Sequence, residues 1–142
     1  MAIVPHSIDV IDSNEQDYLY VQTSNIPNAG KGLFTAINIF KHEVVAIFDG
    51  KILTEPQIKL RVANKQNGYF INLLNGKILD SMHTNCFAKY ANDADGCKAD
   101  TKIFKNNCII MMVNKLQVGI VAIKNIKANT EIYCSYGKAY WL

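Results

Sequence analysis

Three short stretches hold the residue types that could do chemistry. "NAGKGLF", residues 28–34, flanks Lys31 with Gly30 and Gly32; "KYANDAD", residues 89–95, carries Asn92 in a polar loop; "YCSYGKAYWL", residues 133–142, sets four aromatic rings around Gly137. The glycine run resembles the end of a phosphate-binding loop. However, Asn25 stands where that loop needs its first glycine, and Gly32 where a serine or threonine must hold magnesium. Two readings remain: a strand opened by two glycines, whose missing side chains let backbone groups approach a ligand, or an ordinary turn. Tyr136 lies between Ser135 and Gly137, directly after a strand-like run. Such a tyrosine is either a core ring with a satisfied hydroxyl or a hydroxyl presented to a site.

Metal chemistry is not indicated. Cys86, Cys97, Cys108 and Cys134 are too far apart for a Cys-x-x-Cys knuckle and have no histidines at zinc-finger spacing. Three of them adjoin apolar residues, in "NCFAKY", "NCIIMM" and "IYCSY", so reduced core cysteines and no structural zinc are expected. The net charge of +3 comes from 15 basic and 12 acidic residues, with Arg61 the only arginine. Bidentate reading of bases and phosphates favours arginine, which argues against sequence-specific nucleic-acid binding. No apolar run approaches bilayer length, and the first thirty residues show no apolar segment behind a basic start. A nuclear or cytoplasmic protein without a membrane partner is expected.

The elements that must position these residues can be read in outline. The 142 residues suit one domain, 1–142, which on folding buries about 70% of its unfolded surface. "YLYVQ" (Tyr18 to Gln22) and "EVVAIF" (Glu43 to Phe48) are β-branched and aromatic runs that predict strands. Thr54 in capping position, Pro56 in the first turn and Gln57 three residues after the cap predict a short helix from about Glu55 to Val62. Asn75-Gly76 between two apolar runs predicts a two-residue hairpin turn. "CIIMMV", "VGIVAI" and "TEIYCSY" add further short strands, giving a mostly β domain of several small sheets. "NCFAKYANDADG" suits a single helical turn running into a loop.

Taken in order, Gly30-Lys31-Gly32-Leu33-Phe34, then Asn92, then Glu131 followed by Tyr136-Gly137, the motifs resemble the SET domain of protein lysine methyltransferases. The likeness runs from about Tyr20 to Leu142 and includes "VVAIFDGKILT", "GKILDS" and "VGIVAIKNIKANTEI". The short stretch after Tyr136, without a cysteine-rich extension, is most similar to small viral and microbial members. The resemblance implies a SET fold of small β-sheets and short helices. Its C-terminal segment would pass beneath the Asn92 loop as a pseudoknot and form one wall of the active site.

The activity so implied is methyl transfer from S-adenosylmethionine to a lysine amine by in-line displacement. The amine must be neutral to attack, although free lysine has a pKa of about 10.4. A narrow apolar channel and the cofactor's positive charge both disfavour ammonium, which leaves alignment as the main catalytic task. By the resemblance, Tyr136 is the catalytic tyrosine beside the transferring methyl. Gly30, Lys31, Gly32 and Leu33 give backbone room to the cofactor's methionine part. Asn92, with Asp93 after it, meets the polar end of that part, and Tyr69 is a further contact. Trp141 either lies against the adenine or caps the core. Phe48, Tyr90, Ile110 and Tyr133 belong to the substrate channel, and Glu131 ties the knot through hydrogen bonds.

Some positions depart from the family pattern. Asp93 replaces the usual histidine after the asparagine, Lys89 the commoner arginine, and Phe48 a channel tyrosine. The implied partner is a protein with an exposed lysine tail, a histone among the candidates. Asp93, Asp95 and Asp100 are either an acidic rim for that tail or loop solubilisers. A second copy, in a C2 dimer, would complete the channel wall. The competing account is a SET-like module that has lost catalysis and binds peptides, to which Asp93 and the altered channel positions are suited.

Overall fold

The computed structural model of the chain describes residues 8–73, 76–96, 103–114 and 117–135. In chain order, β1 (Asp9–Val10) precedes a single helical turn, α1 (Glu15–Tyr18), which runs straight into β2 (Leu19–Thr23). Next come β3 (Lys31–Thr35), β4 (Glu43–Ile47), β5 (Lys51–Ile52) and α2 (Glu55–Ala63). The hairpin β6 (Phe70–Asn72) and β7 (Ile78–Asp80) leads to two 3₁₀ turns, Ala88–Tyr90 and Ala94–Gly96. The last strands are β8 (Cys108–Met112), β9 (Val118–Ala122), β10 (Thr130–Ile132) and β11 (Cys134–Ser135).

These strands form three small sheets, ordered β1-β4-β9-β8-β11, β10-β3-β2 and β5-β7-β6. The mostly β architecture is the one its short apolar runs predict. β9, "VGIVA", is buried at every position because it lies mid-sheet between β4 and β8, and this explains its continuous rather than alternating apolarity. Leu33, Ile39, Val45, Ile120, Ile132 and Cys134 join one core that runs beneath the sheets. Cys86, Cys108 and Cys134 are buried free thiols, as their apolar neighbours suggested; Cys97 lies outside the described residues.

Local signals set several boundaries. The capping box on α2 is complete: Thr54 Oγ1 accepts from the Gln57 N–H, and Gln57 Oε1 accepts from the Thr54 N–H. The helix runs one residue beyond the expected Val62. The β6–β7 hairpin is present, but its closing pair is Leu73 and Lys77, so the loop holds one residue more than predicted. Gly76 takes φ +81° in it, and Asn75 lies outside the described residues. Around "NCFAKYANDADG" the predicted single turn becomes the two 3₁₀ turns.

Two expectations are corrected. Tyr18 is not the start of a strand but the last residue of α1, where its hydroxyl donates to the Val45 carbonyl at 2.7 Å. "TEIYCSY" is not one strand. It divides at Tyr133, with β10 antiparallel to β3 in one sheet and β11 parallel to β8 in another.

α2 buries none of its residues, so packing of an apolar face does not hold it in place. Helices this short are marginal alone. The tether is Arg61, whose guanidinium pairs with the fully buried Asp80 side chain at the end of β7, while Asp80 Oδ1 also accepts from the Met82 N–H. The sole arginine is thus spent inside the fold. Truncation by Arg61→Ala leaves an uncompensated buried carboxylate and should lower the unfolding free energy by about 3 kcal/mol, read by urea denaturation.

Candidate active site

The site grows from one buried carboxylate. Glu131, on β10 and 1% exposed, accepts from Ser24 Oγ at 2.6 Å, from the Asn25 N–H at 2.7 Å and from Tyr133 Oη at 2.9 Å. Among the described residues no cation stands within ion-pair distance of it, so the hydrogen bonds alone satisfy its charge. Gly32 makes room for this group: a Cβ there would come within 2.3 Å of Glu131 Oε2. Gly30 differs. It has open space around it and is required by its φ of +75°.

Tyr133 transmits the arrangement. Burial, with the Glu131 carboxylate beside it, pushes its phenol above the ordinary tyrosine range, so it remains a donor. Its ring meets Phe104 edge-on at 6.0 Å and packs with Ile26 and Ala94. Its carbonyl accepts from the Asn107 and Cys108 N–H groups, and its own N–H donates to Asn107 Oδ1 at 2.9 Å. Asn107 Nδ2 donates to the Glu131 carbonyl at 3.0 Å. One buried carboxamide therefore clamps the chain on both sides of Ile132, which is why the strand breaks there and changes sheets.

Asn92 lies at the meeting point. Its Nδ2 donates to the Lys31 carbonyl at 3.0 Å, its own carbonyl accepts from the Cys134 N–H at 2.8 Å, and it forms a parallel bridge with Tyr133. The glycine strand, the asparagine loop and the strand leading to Tyr136 thus converge. Asn92 Oδ1 keeps no partner among the described residues. The Asp93 carboxylate accepts from the Asp95 N–H at 2.9 Å and from Asn106 Nδ2 at 3.0 Å, while Asn106 Oδ1 accepts from the Ala94 N–H at 2.8 Å. The aspartate in the histidine's place is thus held by a backbone amide of its own loop and by the Asn106 side chain.

A small pocket of about 50 Å³ brings together Phe48, Ile110, Tyr69 and Lys89. Lys89 Nζ donates to the Met82 carbonyl at 3.3 Å and sits 6.0 Å from the Tyr69 ring centre and 5.4 Å from that of Tyr90. Phe48 also walls a separate open groove of about 710 Å³, to which Glu15 and Asp49 contribute carboxylates. Burial raises the Glu15 carboxyl above its ordinary 4.5, opposed by the Ile47 N–H that it accepts at 3.0 Å.

Sequence reasoning placed the channel residues only in part. Phe48 and Ile110 share the small pocket, joined by Tyr69, which had been assigned to the cofactor. Tyr133 does not line it: its hydroxyl donates to Glu131 and its ring packs in the Phe104 cluster. Tyr90 packs on the core beneath the Lys89 ammonium and does not line the pocket either. Leu33 is fully buried, and Lys31 is exposed and contributes its carbonyl, so both present only backbone here. Tyr136, Gly137 and Trp141 lie outside the described residues, as does any threading of the tail. Asn106, Asn107, Ser24 and Asn25 were missed; two adjacent asparagines just before an apolar strand were the available sign of a polar clamp.

The family model for the SET domain matches residues 30–137, well over half of the chain. The chain belongs to the SET-domain family. That match begins at the first glycine of the Gly30–Gly32 pair and ends at Gly137, so it encloses every segment meeting at Asn92. The SET domain has a lysine methyltransferase-type fold, and its family typically uses S-adenosylmethionine. The comparison with curated proteins returned no match.

Two predictions follow from this SET domain's polar core and groove. Gly32→Ala should lose about 3 kcal/mol of stability by colliding with Glu131, whereas Gly30→Ala should lose only the left-handed backbone penalty of about 1 kcal/mol, both measured by urea denaturation. For Glu15 the folded state holds its proton more tightly than the unfolded chain, so stability falls as pH rises through the raised pKa. Glu15→Gln should therefore melt at or above the wild-type temperature at pH near 7 and lose that advantage at pH near 3.

Proposed function

We propose that this SET domain is an S-adenosylmethionine-dependent protein lysine N-methyltransferase acting on an exposed lysine tail, with histone tails as the first candidates. The observation that carries the reading is the convergence at Asn92 of the Lys31 carbonyl and the strand that leads into Tyr136. The residues present fit the cofactor. Asn92 Oδ1 has no partner among the described residues and can accept from an α-ammonium, and the space around Gly30 leaves backbone accessible.

When bound, that cofactor supplies an electrophilic methyl on a sulfonium. The chain's own residues would do the rest. Phe48 and Ile110 give the small pocket an apolar wall, which disfavours an ammonium and so favours the attacking amine. Lys89, a cation at the same pocket, acts in the same direction. The Asn92 and Asn107 clamps hold the strand before Tyr136, and its hydroxyl is the proposed aligning group next to the reacting atoms. Glu131 has all its proposed work in the polar core and moves no proton.

The test has two stages. S-adenosylmethionine should raise the melting temperature of the wild type, and Asn92→Ala should abolish most of that shift while remaining folded. Mass spectrometry of a histone mixture incubated with protein and cofactor should then find methylated lysines that Tyr136→Phe fails to produce. A protein that neither melts higher with cofactor nor labels any lysine would instead be a SET-like module without catalysis.

A further inference from the structure

We infer that the open groove beside Phe48 holds the substrate's main chain and selects a cationic residue near the target lysine, with Glu15 as the selecting group. The inference rests on the lysine methyltransferase reading above. Besides Glu15 and Asp49, the groove of about 710 Å³ is lined by Asn14, Gln16, Asn85 and Gln117, all residues with carboxamide side chains. No Lys, Arg or His lines it among the described residues. Carboxamides offer both a donor and an acceptor, which suits the N–H and C=O groups of an extended peptide. Carboxylates in a groove that no cation lines among the described residues complement a positive side chain.

Glu15 is the stronger of the two acids. Asp49 is exposed and bonds its neighbouring Gly50 N–H, whereas Glu15 is half-buried, receives one N–H from Ile47 and has Oε1 without a partner among the described residues. Among the described residues the Ile47 N–H offsets the cost of burying this charge only in part. A cation arriving with the substrate would relieve it.

Position adds to the case. Phe48 walls the groove on one side and the pocket of Tyr69 and Ile110 on the other, so a peptide in the groove starts next to the proposed lysine channel. Asn14, Glu15 and Gln16 precede residue 30, where the family match begins. The selectivity therefore belongs to this chain's own N-terminal segment.

The experiment uses the full chain and three fluorescein-labelled peptides with one central lysine flanked by arginine, alanine or glutamate, read by fluorescence anisotropy without cofactor. The arginine-flanked peptide should bind about fivefold tighter than the alanine one, the change expected of one half-exposed charge pair. Glu15→Gln, which keeps an acceptor for the Ile47 N–H, should erase that difference, and Glu15→Lys should favour the glutamate peptide. Melting curves confirm that both variants are folded. Equal affinities in the wild type, a preference that survives Glu15→Gln, or no measurable binding of any peptide would overturn the inference. A protein that shows the preference but transfers no methyl group would lose the proposed function and keep the groove assignment. Methyl transfer without the preference would do the reverse.

Discussion

A buried carboxylate with no counter-ion among the described residues is the constraint on which the rest of this structure depends. Removing such a charge from water costs several kcal/mol unless its lone pairs are filled. Glu131 meets that demand with the Ser24 hydroxyl, the Asn25 amide and the Tyr133 hydroxyl. Tyr133 is a near neighbour in the chain, whereas Ser24 and Asn25 reach Glu131 from more than a hundred residues away. Each must be in place for the carboxylate to be stable inside, and so the β10-β3-β2 sheet and the chain before and after it are fixed together. Gly32 belongs to the same solution, because only a missing side chain lets the strand pass so close to Oε2.

From that anchor the candidate site follows almost entirely through backbone. With its hydroxyl on Glu131 and its amide and carbonyl on Asn107, Tyr133 has no freedom to continue β10. The chain must turn out of one sheet, and the next amide, Cys134, finds the Asn92 carbonyl. Asn92 is then fixed from both sides, by its carbonyl and by the bond from Nδ2 to Lys31, which leaves one carboxamide oxygen without a partner among the described residues. Side-chain identity matters less here than the number of donors and acceptors per residue. Asparagine supplies both kinds in a short, stiff group, and this accounts for its use at 92, 106 and 107.

How much of this was legible depended on how local its cause was. The α2 cap was readable because Thr54 and Gln57 satisfy each other within one turn. The hairpin was readable because its glycine marks a turn, and the strands because their apolar runs are short and punctuated. The break at Tyr133 was not. "TEIYCSY" has good strand propensity throughout, and the residue that interrupts it, Asn107, is 26 positions away. The surroundings of Tyr133 were hidden for the same reason: nothing nearby in sequence says that its ring turns toward Phe104 and not toward Phe48 and Ile110. The convergence at Asn92 was recoverable only from the order of motifs taken jointly, since each stretch alone also reads as an ordinary turn or strand.

Phe48 shows how a departure from the family pattern can be accommodated chemically. A hydroxyl at this wall would hydrogen-bond an ammonium and favour the unreactive form; a phenyl ring lacks that acceptor oxygen. Lys89, whose charge is shared between a carbonyl and two ring faces, adds a repulsive contribution at the same pocket. Both act on the protonation equilibrium and neither needs to accept a proton. In the proposed reaction the amine is therefore selected in its neutral form on entering the pocket, with water taking the proton outside. A general base buried beside the nitrogen would add a desolvated charge to a domain whose polar core already holds one at Glu131.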